Sequence, residues 1–463
     1  MVEHAPYPYS FERTALAAEL HDRFGALEAG AEAAEDVRVA GRVMTTRSHG
    51  KIGFADLMDG SGRIQLFAQH AVLGDTGMES FSALSAGDIV GADGRVVMTR
   101  RGELSVRVTD VAVLAPCLRP MPDKWHEMTD VEVRYRQRYL DLMVNPQARR
   151  ILAARSAALR AIRGFFHERG FVEVETPLLQ PIAGGAIARP FVTHHNALDI
   201  DLYLRIAPEL FLKRLLVGGA EKVFELNRSF RNEGVSTRHN PEFTMLEAYE
   251  AYVDYEHTMT LVEELVRTIA AAVLPAGAAF ELPAAPFARK TMFEVIEEVT
   301  GLALLETWTA GDAAALGTAA RGAGVHVDDA WAPGKVVAEI YEQRVEKSVV
   351  EPTFVVGFPK DVSPLAKDHR TIPGFTEHAD LLIGGVEIAP IYSELNDPEE
   401  QRRRFEQQAA GRAAGNEEAM LPDEDFLEAL GYGMPPAGGF GLGLDRLLML
   451  LLDVPSIREV ILF

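Results

Sequence analysis

From Val37 onward the chain alternates apolar and polar residues in short runs: VRVAGRVMTTR, GFADLMD, GRIQLFAQ, DIVGADGRVVMTR and GELSVRVTDVAVLA, separated by Gly, Ser and Asp turns. This period-2 pattern, rich in β-branched residues, predicts about five strands over residues 37–115. So many strands in so short a span fit an OB-type barrel, with a sheet sandwich as the open alternative. The run ALSAGD reads as a helix between the third and fourth strands. Residues 116–145, beginning with the Pro-punctuated APCLRPMPDKWHEM, read as a linker. The period then changes. ARRILAARSAALRAIRGFFHERG places apolar residues at helical spacing up to Gly170, and FVEVETPLL follows as a strand stopped by Pro177. Strands (DLYLRIA, KVFELN, FTMLEAYEAY, ADLLIGGVEI, YSELND) mix with helices (HTMTLVEELVRTIAAAVL, DRLLMLLL) in the remainder. The absence of βα units with Gly-rich first turns makes residues 146–463 an α+β domain on an antiparallel sheet. Residues 258–350 read as an Ala-rich helical insertion without evident chemistry.

Composition adds two constraints. The 463 residues carry a formal charge of −22, which taken whole argues against a nucleic-acid partner. The deficit is uneven, however: residues 1–37 hold 2 basic and 8 acidic groups and residues 251–463 hold 16 and 35, while 38–250 are close to balance. Local potential is what a phosphate backbone meets, so the middle of the chain remains available to RNA. The acidic residues 1–36 read as a leader. A single cysteine, Cys117, excludes an internal disulfide or a multi-cysteine zinc site and suits a reducing compartment. No apolar run reaches membrane-span length and the start lacks a signal-peptide pattern, so a cytoplasmic protein away from membranes is expected.

Among motifs, G-x-x-x-x-G-K-[ST] is missing, and glycines 438, 439, 441 and 443 do not fit G-x-G-x-x-G. More informative is FELNRSFRNEGVSTRHNPEFTMLEAYEAY, an apolar strand, a loop dense in Arg, Asn, Glu and His, and a return strand. Arg231 could grip a phosphate bidentately and Phe243 could offer a flat face to a heterocycle. Taken singly, either residue is more often structural. The whole string, together with GGFGLGLDR opening a terminal helix, resembles motifs 2 and 3 of the class II aminoacyl-tRNA synthetases. LRIAPELFLKRLLVGG, YSELNDP, SIREVILF and the barrel strings GRIQLF and RPMPDKWHEM narrow the resemblance to the lysyl-tRNA synthetases, over about residues 37–463.

That resemblance implies a lysine–tRNA ligase using ATP and Mg2+, with lysine tRNA as partner and a homodimer formed through motif 1, the helix ending near Gly170 and the strand with Pro177. It implies that Arg231 holds the α-phosphate and Arg446 the γ-phosphate as the catalytic pair, and that Phe243 stacks on adenine. Glu233, His239, Asn240 and Glu387 complete the ATP contacts, with His239 in a binding role ahead of a general-base role. Asp380 and Glu387 correspond to the metal carboxylates, Asp380 standing where the family usually has Glu. Gly185 and Glu209 correspond to the receivers of the α-ammonium, and Glu247, Tyr249 and Glu394 to those of the ε-ammonium. Arg47, Phe54, Gln65 and Glu103 correspond to the anticodon readers of the barrel. The chain departs from the family at Ala389-Pro390-Ile391, where an amide is replaced by proline, and at Tyr392, where Phe is frequent. It also begins almost at Pro6-Tyr7-Pro8, without the basic N-terminal helix many members carry. Two alternatives stay open: a lysine-activating paralogue serving modification or resistance, and an inactive RNA-binding relative.

Overall fold

A computed structural model describes residues 7–121, 130–275, 278, 280–328, 331–413 and 422–463. The chain divides into two compact units, Met1–Thr129 and Asp130–Phe463.

The first unit is a closed barrel of β1 (Glu32–His49), β2 (Ile52–Met58), β3 (Arg63–Gln69), β4 (Ile89–Met98) and β5 (Leu104–Ala115), in the order β1-β2-β3-β5-β4. β1 closes it by pairing β4 with its first half and β2 with its second, across a register shift between Val43 and Thr45. Leu57, Leu66, Val90, Val96 and Val106 fill the interior. The first strand starts at Glu32, ahead of Val37, and the helix Ala17–Phe24 lends Ala17 and Leu20 to the same core. That part of the acidic leader is therefore packed structure. The helix after β3 is His70–Ser82, not ALSAGD. ALSAGD instead makes a turn, in which the Asp88 carboxylate accepts from the Ser85 backbone N–H at 2.8 Å.

In the second unit the strands are β6 (Val172–Glu173), β7 (Leu179–Gln180), β8 (Val192–His195), β9 (Ile200–Leu204), β10 (Lys222–Phe230), β11 (Glu242–Ala251), β12 (Ala288–Thr291), β13 (Thr353–Pro359), β14 (Phe375–Ile383), β15 (Val386–Ser393) and β16 (Ala437–Gly443). Eight of them form one sheet, β12-β13-β14-β15-β16-β11-β10-β6, and β7-β9-β8 form a small second sheet. The large sheet is antiparallel in the middle; only its outermost pairs, β12 with β13 and β6 with β10, are parallel. One face is covered by the helices Pro146–Glu168, Tyr255–Val273 and Leu444–Leu451, where Phe166, Val262, Val266 and Leu447 pack on Phe224, Leu246 and Phe440. Asn145 and Pro146 start the first of these helices and Asp254 caps the second. Residues 258–350 are thus not a single insertion. Tyr255–Val273 belongs to the central core, β12 extends the main sheet, and the helices from Met292 build a separate cluster with Val355 and Phe375. Among the described residues no helix is long and apolar enough to cross a membrane.

Candidate active site

Strand alternation gives the large sheet a working face opposite its helices. On β11, Leu246 and Ala248 enter the core, which leaves Phe243, Met245, Glu247 and Tyr249 on the other side. On β16, Phe440 and Leu442 point inward and glycines 439, 441 and 443 line the open face. On β15, Ala389 and Ile391 are core, while Pro390 and Tyr392 face the site. Two adjoining cavities of about 160 and 580 Å³ lie on this face and share Arg231, Met245, Glu387 and Pro390.

The smaller cavity brings together Arg231, Glu233, His239, Asn240, Phe243, Glu387 and Arg446. Arg231 leaves the end of β10, its backbone N–H donating to the Pro241 carbonyl at 2.9 Å to close the hairpin. Its guanidinium carbon lies 5.2 Å from the Phe243 ring centroid, and its buried Nε has no hydrogen-bond partner in the protein. Burial lowers the Arg231 pKa, against the pull of Glu233 and Glu387. An unpartnered buried donor in a cavity wall calls for an acceptor from outside. Arg446, in the first turn of Leu444–Leu451, donates through Nη1 to the Glu387 carbonyl at 3.3 Å and places Nη2 3.2 Å from His239 Nε2. Burial and the Arg446 charge push His239 below the ordinary imidazole range, so its Nε2 accepts from Arg446 while Nδ1 meets Ser236 Oγ at 2.8 Å. Both ring nitrogens are engaged, an arrangement that favours binding over proton transfer.

The larger cavity is lined by Gly185, Glu209, Glu247 and Tyr249. Gly185 has φ +86, and a Cβ there would meet the Glu209 Cβ at 3.1 Å, so glycine permits both the backbone conformation and the approach. The Tyr249 hydroxyl donates to Glu247 Oε2 at 3.1 Å. Burial, reinforced by the Glu209 charge, pushes the Glu247 carboxyl well above the usual range. Glu394 is not on this wall. It lies behind Tyr249 and Gly439, so close that a Cβ on Gly439 would fall 2.2 Å from its Oε1. Neither Glu394 oxygen has an aligned hydrogen bond, although Lys213 Nζ is only 2.5 Å from Oε2. The stretch read as lacking chemistry also contributes, through Lys335 and Glu342.

Asp380 is buried on β14 and lines neither cavity among the described residues. Its Oδ1 lies 2.9 Å from His378 Nε2, whose Nδ1 lies 2.8 Å from Ser363 Oγ. Burial and the Asp380 charge both push Glu387 up, and the same two causes push up Glu346. Like charges held together suit a cation. Among the described residues no three His, Cys, Asp or Glu side chains surround one point. Two protein carboxylates completed by phosphates remain the donor set such a cation needs, which fits magnesium chemistry. Pro390 sits opposite Asp380 in the ladder, and pairing of β15 with β16 runs only from Ile391 to Ser393. Proline has no N–H to continue it, and the cavities open beside that point.

A model for class II tRNA synthetases of the D, K and N type matches residues 130–463, and one for OB-fold nucleic acid binding domains matches residues 37–114. The chain belongs to the class II tRNA synthetases. Among curated relatives, the lysine–tRNA ligase of Moorella thermoacetica is 52% identical over 99% of this chain and 93% of its own length. Those of Carboxydothermus hydrogenoformans and Bacillus subtilis are 50% and 48% identical at the same coverage.

In the barrel of this class II synthetase, Arg47, Phe54, Phe67 and Arg107 form one cross-strand row through β1, β2, β3 and β5. The two phenylalanine rings stack at 5.0 Å, 9° apart. Gln65 is on the same face but nearly buried, its Oε1 accepting from Ser105 Oγ at 3.0 Å. Glu103 is exposed at the turn into β5. Sequence reasoning missed Phe67, although it is two residues from Gln65 and so shares its face. Arg155 and Lys213 were missed too, charged residues at helical core positions, because Asp445 and Thr244 around the first and Glu394 on the second are remote in sequence. Arg155 Nη1 holds Asp445 at 2.5 Å and Nη2 holds Thr244 Oγ1 at 2.7 Å, fixing the start of the helix that carries Arg446.

Proposed function

We propose that the protein is a lysine–tRNA ligase. It joins lysine to ATP as lysyl-adenylate and passes the lysyl group to the 3′ end of lysine tRNA. The observation that carries the reading is the charge of the larger cavity. Among the described residues its wall holds the carboxylates of Glu209, Glu247, Glu342, Asp361 and Glu387 against the cations Arg231 and Lys335, and the surplus of negative charge matches the two ammonium groups of lysine. Aspartate or asparagine would bring a second carboxylate or a neutral amide to a site already short of positive charge.

In the first step a lysine carboxylate oxygen bonds to the ATP α-phosphorus and the bond to pyrophosphate breaks. In the second, a ribose hydroxyl of the tRNA attacks the carbonyl carbon and AMP leaves. No protein nucleophile is required; position and charge carry both steps. Arg231 is the ligand of the α-phosphate, where charge builds, and Arg446 that of the γ-phosphate, with Phe243 against adenine and Glu233, His239 and Asn240 around the nucleotide. Gly185 and Glu209 receive the α-ammonium; Glu247, with Tyr249, receives the ε-ammonium, and Glu394 supports it from behind. Asp380 and Glu387 would hold Mg2+, which would supply charge neutralisation to the phosphates. Phe54, Arg47, Gln65 and Glu103 read the anticodon.

The protein acts as a homodimer in the cytoplasm. Support for the dimer comes from Val172, Leu178, Leu179, Val192 and Ile200, all exposed apolar residues in or beside motif 1 and the small sheet. Charging of lysine tRNA with labelled lysine tests the function. Lysyl-tRNA should form only with ATP present; lysine-dependent consumption of ATP without charging would instead favour a paralogue with another acceptor.

A further inference from the structure

Lys213 has no side-chain exposure and lines neither cavity, yet it is ion-paired with two groups assigned above to lysine recognition. Its Nζ lies 2.6 Å from Glu209 Oε1 and 2.5 Å from Glu394 Oε2. Glu209 opens the helix Glu209–Val217 and Lys213 follows one turn later on the same face, whereas Glu394 comes from the end of β15, where its N–H donates to the Ala437 carbonyl at 2.8 Å. One ammonium therefore ties the helix that presents Glu209 to the strand end that presents Glu394. Burial opposes the charge on this amine, but the two carboxylates outweigh it and hold Lys213 above the ordinary lysine range.

We infer that Lys213 is a positioning residue for substrate selection: its ammonium fixes Glu209 against Glu394, and so sets both the reach and the net charge that the cavity offers a diamino acid. The inference rests on the lysine-ligase reading. A lysine gripped at both ends must span from Glu209 to Glu247, and a fixed span distinguishes it from ornithine, one methylene shorter. Without the Lys213 ammonium, Glu209 is free to turn on its helix terminus, and it faces the buried carboxylates of Glu247 and Glu394 without its counter-charge. The cavity would then hold the α-ammonium poorly and measure side-chain length poorly. The ATP contacts Glu233, His239, Asn240, Phe243 and Arg446 lie in the other cavity and need not change.

The test is ATP–pyrophosphate exchange by the full-length protein with lysine and with ornithine, comparing the native sequence, Lys213→Met and the charge-balanced Lys213→Met/Glu394→Gln. Thermal melting and the ATP KM report on folding and on the nucleotide site. Lys213→Met should raise the lysine KM by ~100-fold, the scale of a broken buried pair, with a much smaller change in kcat. It should also lower the lysine-over-ornithine preference at least ~10-fold, within the range one methylene can supply, while ATP KM stays within about twofold. If Lys213→Met lacks a cooperative melt, the double variant replaces it with the same expected loss of preference. A folded variant with unchanged lysine KM and preference overturns the inference, as does an equal loss toward lysine, ornithine and ATP. Absence of lysine-dependent exchange in the native sequence overturns the ligase reading itself.

Discussion

Arg231, shared by both cavities, and Glu247, in the larger one alone, answer to different assays. On the proposed placement, Arg231→Ala removes the donor to the α-phosphate and should cost ~10²–10³ in kcat for exchange. Its effect on the lysine KM should be small. Glu247→Gln keeps the shape and the Tyr249 contact but removes the charge, and should reduce kcat/KM for lysine by ~10–100-fold, the value of a charge-assisted hydrogen bond. Glu247 also predicts a pH dependence. Its raised pKa means that it carries a proton between the ordinary carboxylate range and its own value. An ammonium docking there favours the ionised form, so lysine binding expels that proton. Affinity should therefore rise with pH through this window and level off above it. Calorimetry in two buffers of different ionisation enthalpy should detect proton release, and proton uptake would contradict the placement. Most of these side chains were legible in the sequence because they fall inside continuous strings that the family shares. Lys213 and Arg155 were not, because a charged residue on an apolar helix face acquires meaning only when its distant carboxylate is known.

Elements explain how such side chains are held. The Gly-rich strand β16 is flat on its working face because Tyr249 and Glu394 occupy the space where side chains would project. Gly439→Ala should therefore both destabilise the protein and impair lysine use, with ATP binding less affected. Arg446 depends on Asp445, which joins Arg155 to the Thr244 backbone N–H at 2.7 Å. Asp445→Asn leaves the buried Arg155 guanidinium without its counter-charge and should lose about 3–5 kcal/mol of stability in urea unfolding. Alternation located the barrel strands and the hairpin of β10 and β11 well, since each has one buried face. It failed at His70–Ser82, where Gly74, with φ +67, interrupts the helix and no continuous apolar stripe survives to be read. At Tyr255–Val273 the pattern located the helix but not its place, since a segment read as the start of an insertion packs at the centre of the core.

For the whole molecule, the charge of −22 gives a poor description of the partner. Part of the acidity lies inside the larger cavity, where on the proposed reading it selects a cationic amino acid, while the barrel offers a row of arginine and stacked phenylalanine. Phe54→Ala should weaken tRNA charging by the ~1–3 kcal/mol that stacking one base supplies, and leave lysine activation unchanged. Sedimentation should find a dimer, and Val172→Asp with Leu179→Asp should convert it to monomers. Selection of lysine by the buried carboxylates, for activation by ATP, is read out by ATP–pyrophosphate exchange with lysine, ornithine and aspartate. Exchange should be strong with lysine, weaker with ornithine and absent with aspartate; exchange with aspartate, or with none of the three, would contradict the account.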